Sequence, residues 1–133
     1  MSTQDEYQER RKHQRFAAQR DGKPCIDILV AGKRITLNDL SIDGFSLPPD
    51  EALVEGETFD FEMRLIDGFG DRIRGQAIAV NEVNGLIGCQ FVDLDPAQQR
   101  VLEEWLIVIV ICGASVRLTP ADAEAIVKGP SLI

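Results

Sequence analysis

A group of basic side chains near the amino terminus is the first set of residues whose chemistry stands out. Five basic or imidazole side chains occupy six consecutive positions: Arg10, Arg11, Lys12, His13 and Arg15. They lie in a chain of 133 residues with a formal net charge of −8. A guanidinium group can donate two parallel hydrogen bonds to one phosphate or carboxylate, which a lysine cannot. The segment is too short and too polar to be core, so it is either a solvated tail or a binding arm.

A second short motif could supply the complementary chemistry. The sequence Asp39-Leu-Ser41-Ile-Asp-Gly44 has the pattern DxSxxG. Asp39 offers a carboxylate acceptor, Ser41 a small donor or acceptor, and Gly44 tolerates a positive φ or a close approach of backbone. The same residues are also typical of an Asx-type turn after a strand. Both interpretations stay open on this motif alone.

Alternating apolar residues predict β-structure from Cys25 to residue 94. Six short runs have the composition of strands: Cys25–Val30, Arg34–Leu40, 44–47, 57–66, 72–83 and the run that follows Asn84-Gly85. Asn-Gly between two strand-like runs is the strongest short hairpin signal. Regular spacing and tight turns favour a small antiparallel barrel over alternating βαβ units.

The pattern changes to a helical period from Asp95 onward. Asp95 is a candidate N-cap with Pro96 at the first helical position, and Thr119-Pro120 repeats this signature before Gly129. We therefore expect an arm over residues 1–22, a barrel and helix over 23–112, and a C-terminal extension over 113–133. The run Leu106–Cys112 is apolar on all sides, so it is either covered by the extension or forms a protomer interface.

Composition excludes several classes of protein. Three widely spaced cysteines indicate reduced thiols and neither a disulfide framework nor a metal site. The amino terminus lacks a signal-peptide core, and no apolar run approaches the roughly 20 residues of a membrane span. We expect a cytoplasmic protein without a membrane span. No catalytic motif is present, so we expect no enzyme, no metal and no cofactor.

The two motifs in this order, with strands around them, resemble the PilZ domain family of bacterial cyclic di-GMP receptors. Arg11-Lys-His-Gln-Arg15 matches the RxxxR of the family's N-terminal arm, and Asp39 to Gly44 matches its D/NxSxxG. The likeness covers residues 9–111. It implies a six-stranded antiparallel barrel with a flexible N-terminal arm and one or two C-terminal helices.

The resemblance also implies a ligand site and the role of each residue in it. Arg11 and Arg15 would hold the phosphates and guanine edges of cyclic di-GMP, while Asp39, Ser41 and Gly44 would line the rim. The residue before RxxxR bears on how many ligand molecules bind, and Arg10 favours an intercalated ligand dimer over a single one.

The function expected on this basis is that of a receptor whose arm becomes ordered on cyclic di-GMP and relays the signal to a protein effector. One alternative is a PilZ-like scaffold that binds no nucleotide and acts through protein contacts alone. A nucleic-acid-binding barrel is disfavoured, because the body is acidic and aromatic residues make up only 6% of the chain.

Overall fold

The fold is a curled antiparallel β-sheet followed by two helices, in a computed structural model that describes residues 13–67, 70–114 and 116–130. The strands are β1 (Phe16–Ala17), β2 (Gln19–Arg20), β3 (Lys23–Pro24), β4 (Ile26–Val30), β5 (Lys33–Thr36), β6 (Asp39–Leu40), β7 (Gly44–Leu47), β8 (Thr58–Leu65), β9 (Ile73–Val83) and β10 (Leu86–Val92). The helices are α1 (Pro96–Gly113) and α2 (Pro120–Lys128).

One bent strand closes the sheet into a barrel. The sheet order is β1-β6-β7-β10-β9-β8-β4-β5. β5 and β6 are consecutive parts of the segment predicted as a single strand, and they lie at opposite sides of this order. At the bend, Leu37 N donates to Ile26 O at 3.0 Å, whereas Asn38 N donates to Ser46 O at 3.1 Å. The segment thus pairs first with β4 and then with β7, and the predicted six strand positions form a ring.

Two hairpin turns have positive φ angles at both central residues, as the sequence predicts for Asn84-Gly85. Ala31-Gly32, between β4 and β5, has φ values of 50° and 78°. Asn84-Gly85, between β9 and β10, has values of 54° and 76°. Two consecutive positive φ angles are required by the type I′ turn, whose twist matches that of the flanking strands.

An aromatic cluster in the barrel anchors β7, the strand that begins at Gly44. Phe45 is fully buried, and its ring centroid lies 5.6 Å from that of Phe61 and 5.4 Å from that of Phe91. Such tilted and edge-to-face contacts add to the free energy of apolar burial. The residues that follow the DxSxxG motif are therefore fixed by the core.

The C-terminal extension covers one side of α1. In α2, Ala123 and Val127 are buried against α1, and Lys128 Nζ lies 3.7 Å from Glu103 Oε2. A capping box begins α2, with Thr119 Oγ1 accepting from Asp122 N and Asp122 Oδ2 accepting from Thr119 N. Of the two interpretations of the apolar run in α1, the structure supports cover by the extension, although Val108 remains 43% exposed.

Part of the predicted arm is paired with the sheet. β1 pairs antiparallel with β6, and β2 pairs with β3, so residues 16–17 and 19–20 form strands within the segment that the sequence had assigned to the arm. Ala18 is fully buried because it lies between these two pairings. Residues 1–12, to which the expectation of a flexible arm also applies, are outside the described residues. Within the described part of the chain, neither helix is long and apolar enough to cross a membrane.

Candidate functional site

The DxSxxG motif forms a tight hairpin loop between β6 and β7. Ser41 Oγ accepts hydrogen bonds from the backbone N–H groups of Asp43 and Gly44, both at 3.1 Å, and donates to Gly44 O at 3.3 Å. Ser41 N also donates to Gly44 O at 2.8 Å. Ser41 is only 3% exposed, so its hydroxyl holds the loop closed and is engaged within the motif itself.

Gly44 is required by a close approach of backbone rather than by its φ angle. A Cβ atom built at this position would lie 2.0 Å from the carbonyl oxygen of Cys89 on β10, far inside any real contact. Gly44 has no positive φ, in contrast to the glycines of the two hairpin turns. Of the two explanations that the sequence left open for this glycine, the structure therefore supports the second.

A row of paired residues, three of them polar, crosses four neighbouring strands beside this loop. The register places Asp39 of β6 opposite Ser46 of β7, Ser46 opposite Gly88 of β10, and Gly88 opposite Asn81 of β9. We call these four residues the polar row. Since cross-strand neighbours are about 5 Å apart, the row spans roughly 15 Å of sheet.

Asp39 has one satisfied and one unsatisfied carboxylate oxygen. Oδ2 accepts from Ser46 Oγ at 2.6 Å and from Asn38 Nδ2 at 3.1 Å. Oδ1 is buried and has no hydrogen-bond partner among the described residues. A buried acceptor without a donor is costly, so this oxygen is suited to an N–H donor supplied from elsewhere.

Arg15 lies over the polar row. Its Nη1 is 3.8 Å from Asp39 Oδ1, which is an ionic contact too long for a hydrogen bond. Its Nη2 is 3.6 Å from the point where a Cβ at Gly88 would stand, and Asn81 Oδ1 is 3.5 Å from the same point. A Cβ at Gly88 would therefore be in ordinary van der Waals contact with the guanidinium.

His13 connects the arm to the C-terminal extension and to the Asp39–Gly44 loop, which we call the rim loop. Its Nδ1 contacts Oδ2 of Asp43, within the DxSxxG loop. Its backbone forms an isolated antiparallel bridge with Pro130, just after α2. Of the other predicted arm residues, Arg10 and Arg11 lie outside the described residues.

The charge of Arg15 also acts on the strand beneath it. Burial raises the pKa of the Cys89 thiol to about 12, and the positive charge of Arg15 opposes that rise. Cys89 is fully buried, so its thiol stays protonated at neutral pH.

A cavity of about 540 Å³ has Arg15 as one of its lining residues. It opens between β1–β2 and the end of α1, and its walls include Val110, Leu118 and Ile126. Most of these walls are apolar, and the polar side chains among them are Arg15, Gln19 and Asp21.

The arrangement fits a ligand that is both anionic and rich in N–H donors. Arg15 can donate two parallel hydrogen bonds to a phosphate or to the O6/N7 edge of guanine. Asp39 Oδ1 can accept from an N–H group of a base. No catalytic step is needed for either contact.

The structure places Arg15 beside Asp39 and places Ser41 and Gly44 in the loop that follows Asp39, and it adds residues that the sequence analysis missed. Ser46, Gly88 and Asn81 complete the polar row only through strand pairing. One signal was available, because a glycine inside a strand often marks a bulge or a close approach, and the β9–β10 register shifts at Gly88.

Comparison with known proteins agrees with this architecture. The family model of the PilZ domain matches residues 9–107. An uncharacterized protein of Legionella has a similar fold, with a TM-score of 0.51 and 10% sequence identity over 72% of this chain and 90% of that chain.

Two further solved structures are more distant. The PilZ domain of CeSA from a cellulose-synthesizing bacterium has a TM-score of 0.44 and 16% identity, over 67% of this chain and 90% of that one. PlzA of Borreliella burgdorferi in complex with c-di-GMP has a TM-score of 0.45 and 11% identity, over 86% of this chain and 58% of that one. No curated protein matches the sequence.

The family match covers most of the chain, including both motifs and the whole barrel. The chain therefore belongs to the PilZ domain family.

Proposed function

We propose that this protein is a cytoplasmic receptor for cyclic di-GMP, bound between the arm and the polar row. The single observation that carries the proposal is the position of Arg15, whose guanidinium lies over Asp39 without a hydrogen bond to it. Donor and acceptor are thus held side by side, and both keep hydrogen-bonding capacity for a ligand. Membership of a family that includes cyclic di-GMP receptors supports the same ligand.

In the proposed complex, Arg11 and Arg15 bind the phosphates and the O6/N7 edge of a guanine. Asp39 Oδ1 accepts from guanine N1–H or the N2 amino group, which satisfies its buried lone pairs. Ser41 and Gly44 contribute by fixing the DxSxxG loop, whose backbone lies against the ligand. Arg10 adds a third guanidinium, which favours an intercalated ligand dimer.

The expected affinity follows from the number of charged contacts. A hydrogen bond to a charged group contributes about 1.5–3 kcal/mol. Four or five such bonds, reduced by the cost of ordering the arm, leave a binding free energy of about −8 kcal/mol or below, a micromolar or tighter Kd. The loss of one arginine should therefore weaken binding tenfold or more.

The proposed signal is the fixing of the arm. A ligand that contacts both Arg15 and the rim reduces the freedom of the residues between them and changes the surface offered to a protein effector. The alternative is a scaffold that uses the same surface without a nucleotide.

The test is calorimetric titration of cyclic di-GMP into the wild-type protein, Arg15→Ala and Arg72→Ala. Arg72 precedes β9 at the end away from Asn81 and pairs with Glu62, so its loss removes the same charge far from the site. We expect micromolar or tighter binding by the wild type and by Arg72→Ala, with at least tenfold weaker binding by Arg15→Ala. An absence of heat at tens of micromolar wild-type protein would favour the scaffold.

A further inference from the structure

His13 is the residue at which three parts of the molecule meet. It lies between Arg11 and Arg15 in the RxxxR motif and therefore belongs to the predicted arm. Its imidazole contacts Asp43 in the rim loop, and its backbone is bridged to Pro130 at the end of the C-terminal extension. These are separate groups of one residue, so both contacts can exist at once.

The helix that ends beside Pro130 depends on its surroundings. α2 has nine residues, too few for a stable isolated helix in water. It is supported by the capping box at Thr119, by burial of Ala123 and Val127 against α1, and by the ion pairs of Lys128 with Glu103 and Glu124. At its C-terminal end, the bridge of Pro130 to His13 connects α2 to the arm.

We propose that residues 116–130 form a regulatory element whose stability is coupled to the ligand site through His13. This inference rests on the proposed function, because the ligand acts by holding the arm. The arm position that supports Pro130 is the position in which Arg15 lies over the polar row. A ligand that fixes Arg15 there also fixes His13, strengthens the bridge and tightens α2.

Coupling between two sites is reciprocal, so a looser α2 must weaken ligand binding by the same factor. The order of the segment that contains α2 thereby depends on whether ligand is bound at the polar row. It offers an effector a surface whose order depends on cyclic di-GMP.

The experiment measures amide hydrogen exchange of residues 121–128 by NMR, in wild-type protein and in His13→Ala, with and without saturating cyclic di-GMP. We expect the ligand to slow exchange in wild-type α2 about fivefold, the low end of known couplings. We expect His13→Ala to exchange faster than wild type before ligand is added and to respond less than twofold afterwards. Unchanged or faster wild-type exchange at a calorimetrically saturated site would overturn the coupling.

The reverse direction supplies an independent variant pair. Val127→Ala removes a buried contact between α2 and α1, whereas Val116→Ala changes a side chain that is 67% exposed in the same segment. We expect Val127→Ala to bind cyclic di-GMP several-fold more weakly than wild type. We expect Val116→Ala to bind it with the affinity of wild type. Equal affinities would contradict the coupling while leaving the receptor function intact.

If calorimetry shows no binding by the wild type, the proposed function fails on its own. The role of His13 is then still decided by the exchange rates without ligand. Equal rates in α2 of wild type and His13→Ala would show that the imidazole contact to Asp43 does not support the extension.

Discussion

Replacement of Gly44 by alanine tests the most restrictive contact in the rim loop. The added Cβ would lie 2.0 Å from Cys89 O, about 1 Å inside the shortest separation that real Cβ atoms show. The obstructing atom is backbone, so relief requires β7 and β10 to move apart at the register pair next to the loop. Overpacking of this kind costs about 1–3 kcal/mol, and the rigidity of the neighbour favours the upper end.

A loss of about 3 kcal/mol corresponds to a fall in Tm on the order of 10 °C for a domain of this size. The measurement is thermal unfolding followed by circular dichroism. The matched control is Gly113→Ala, because Gly113 is the last residue of α1 and an added Cβ meets nothing within 4 Å. We expect the control to be neutral or slightly stabilising, as alanine favours helix over glycine. A Gly44→Ala protein that melts within 2 °C of wild type would refute the close-approach argument.

Two further predictions concern cysteine reactivity and acid stability. Cys112 is exposed, whereas Cys89 is buried with a pKa of about 12. A thiol reagent should therefore modify Cys112 in the folded protein and Cys89 only after unfolding, as detected by mass spectrometry. Modification of both thiols at similar rates would contradict this. The hydrogen bond that Arg74 donates to Glu62, with a second from Arg72, holds the pKa of that carboxyl below its usual value. A pKa that is lower in the folded state stabilises the fold above the unfolded pKa, and this stabilisation is lost as the pH falls. The stability advantage of wild type over Glu62→Gln, measured by urea titration, should therefore shrink between roughly pH 5 and pH 3. A difference that stays constant over this range would refute the assignment.

Local signals explain why much of the fold could be predicted from the sequence. Asn84-Gly85 determines its hairpin through backbone angles that few other residues adopt, and Thr119-Pro120 begins α2 through hydrogen bonds within one turn. The Asp39–Gly44 loop is likewise closed by Ser41, two and three residues from its partners. Each of these features depends on residues that are adjacent in the chain.

Features that depend on pairing distant segments could not be read in the same way. Nothing local marks the bend at Leu37 and Asn38, since its cause is the competition of β4 and β7 for one strand. The polar row joins residues 39, 46, 81 and 88 only because the register aligns them. The contact of His13 with Pro130 joins segments 117 residues apart in the sequence.

The central claim is that cyclic di-GMP binds at the polar row and not at the cavity between β1–β2 and α1. The most direct measurement is a set of intermolecular nuclear Overhauser contacts between the guanine and ribose protons of bound ligand and assigned protein side chains. Arg15 borders both places, so the decisive contacts are those to the Asp43–Gly44 loop, which the account predicts, and those to Leu118 or Ile126, which it excludes. Contacts to the apolar cavity residues alone, or a bound ligand without any contact to the rim loop, would contradict it.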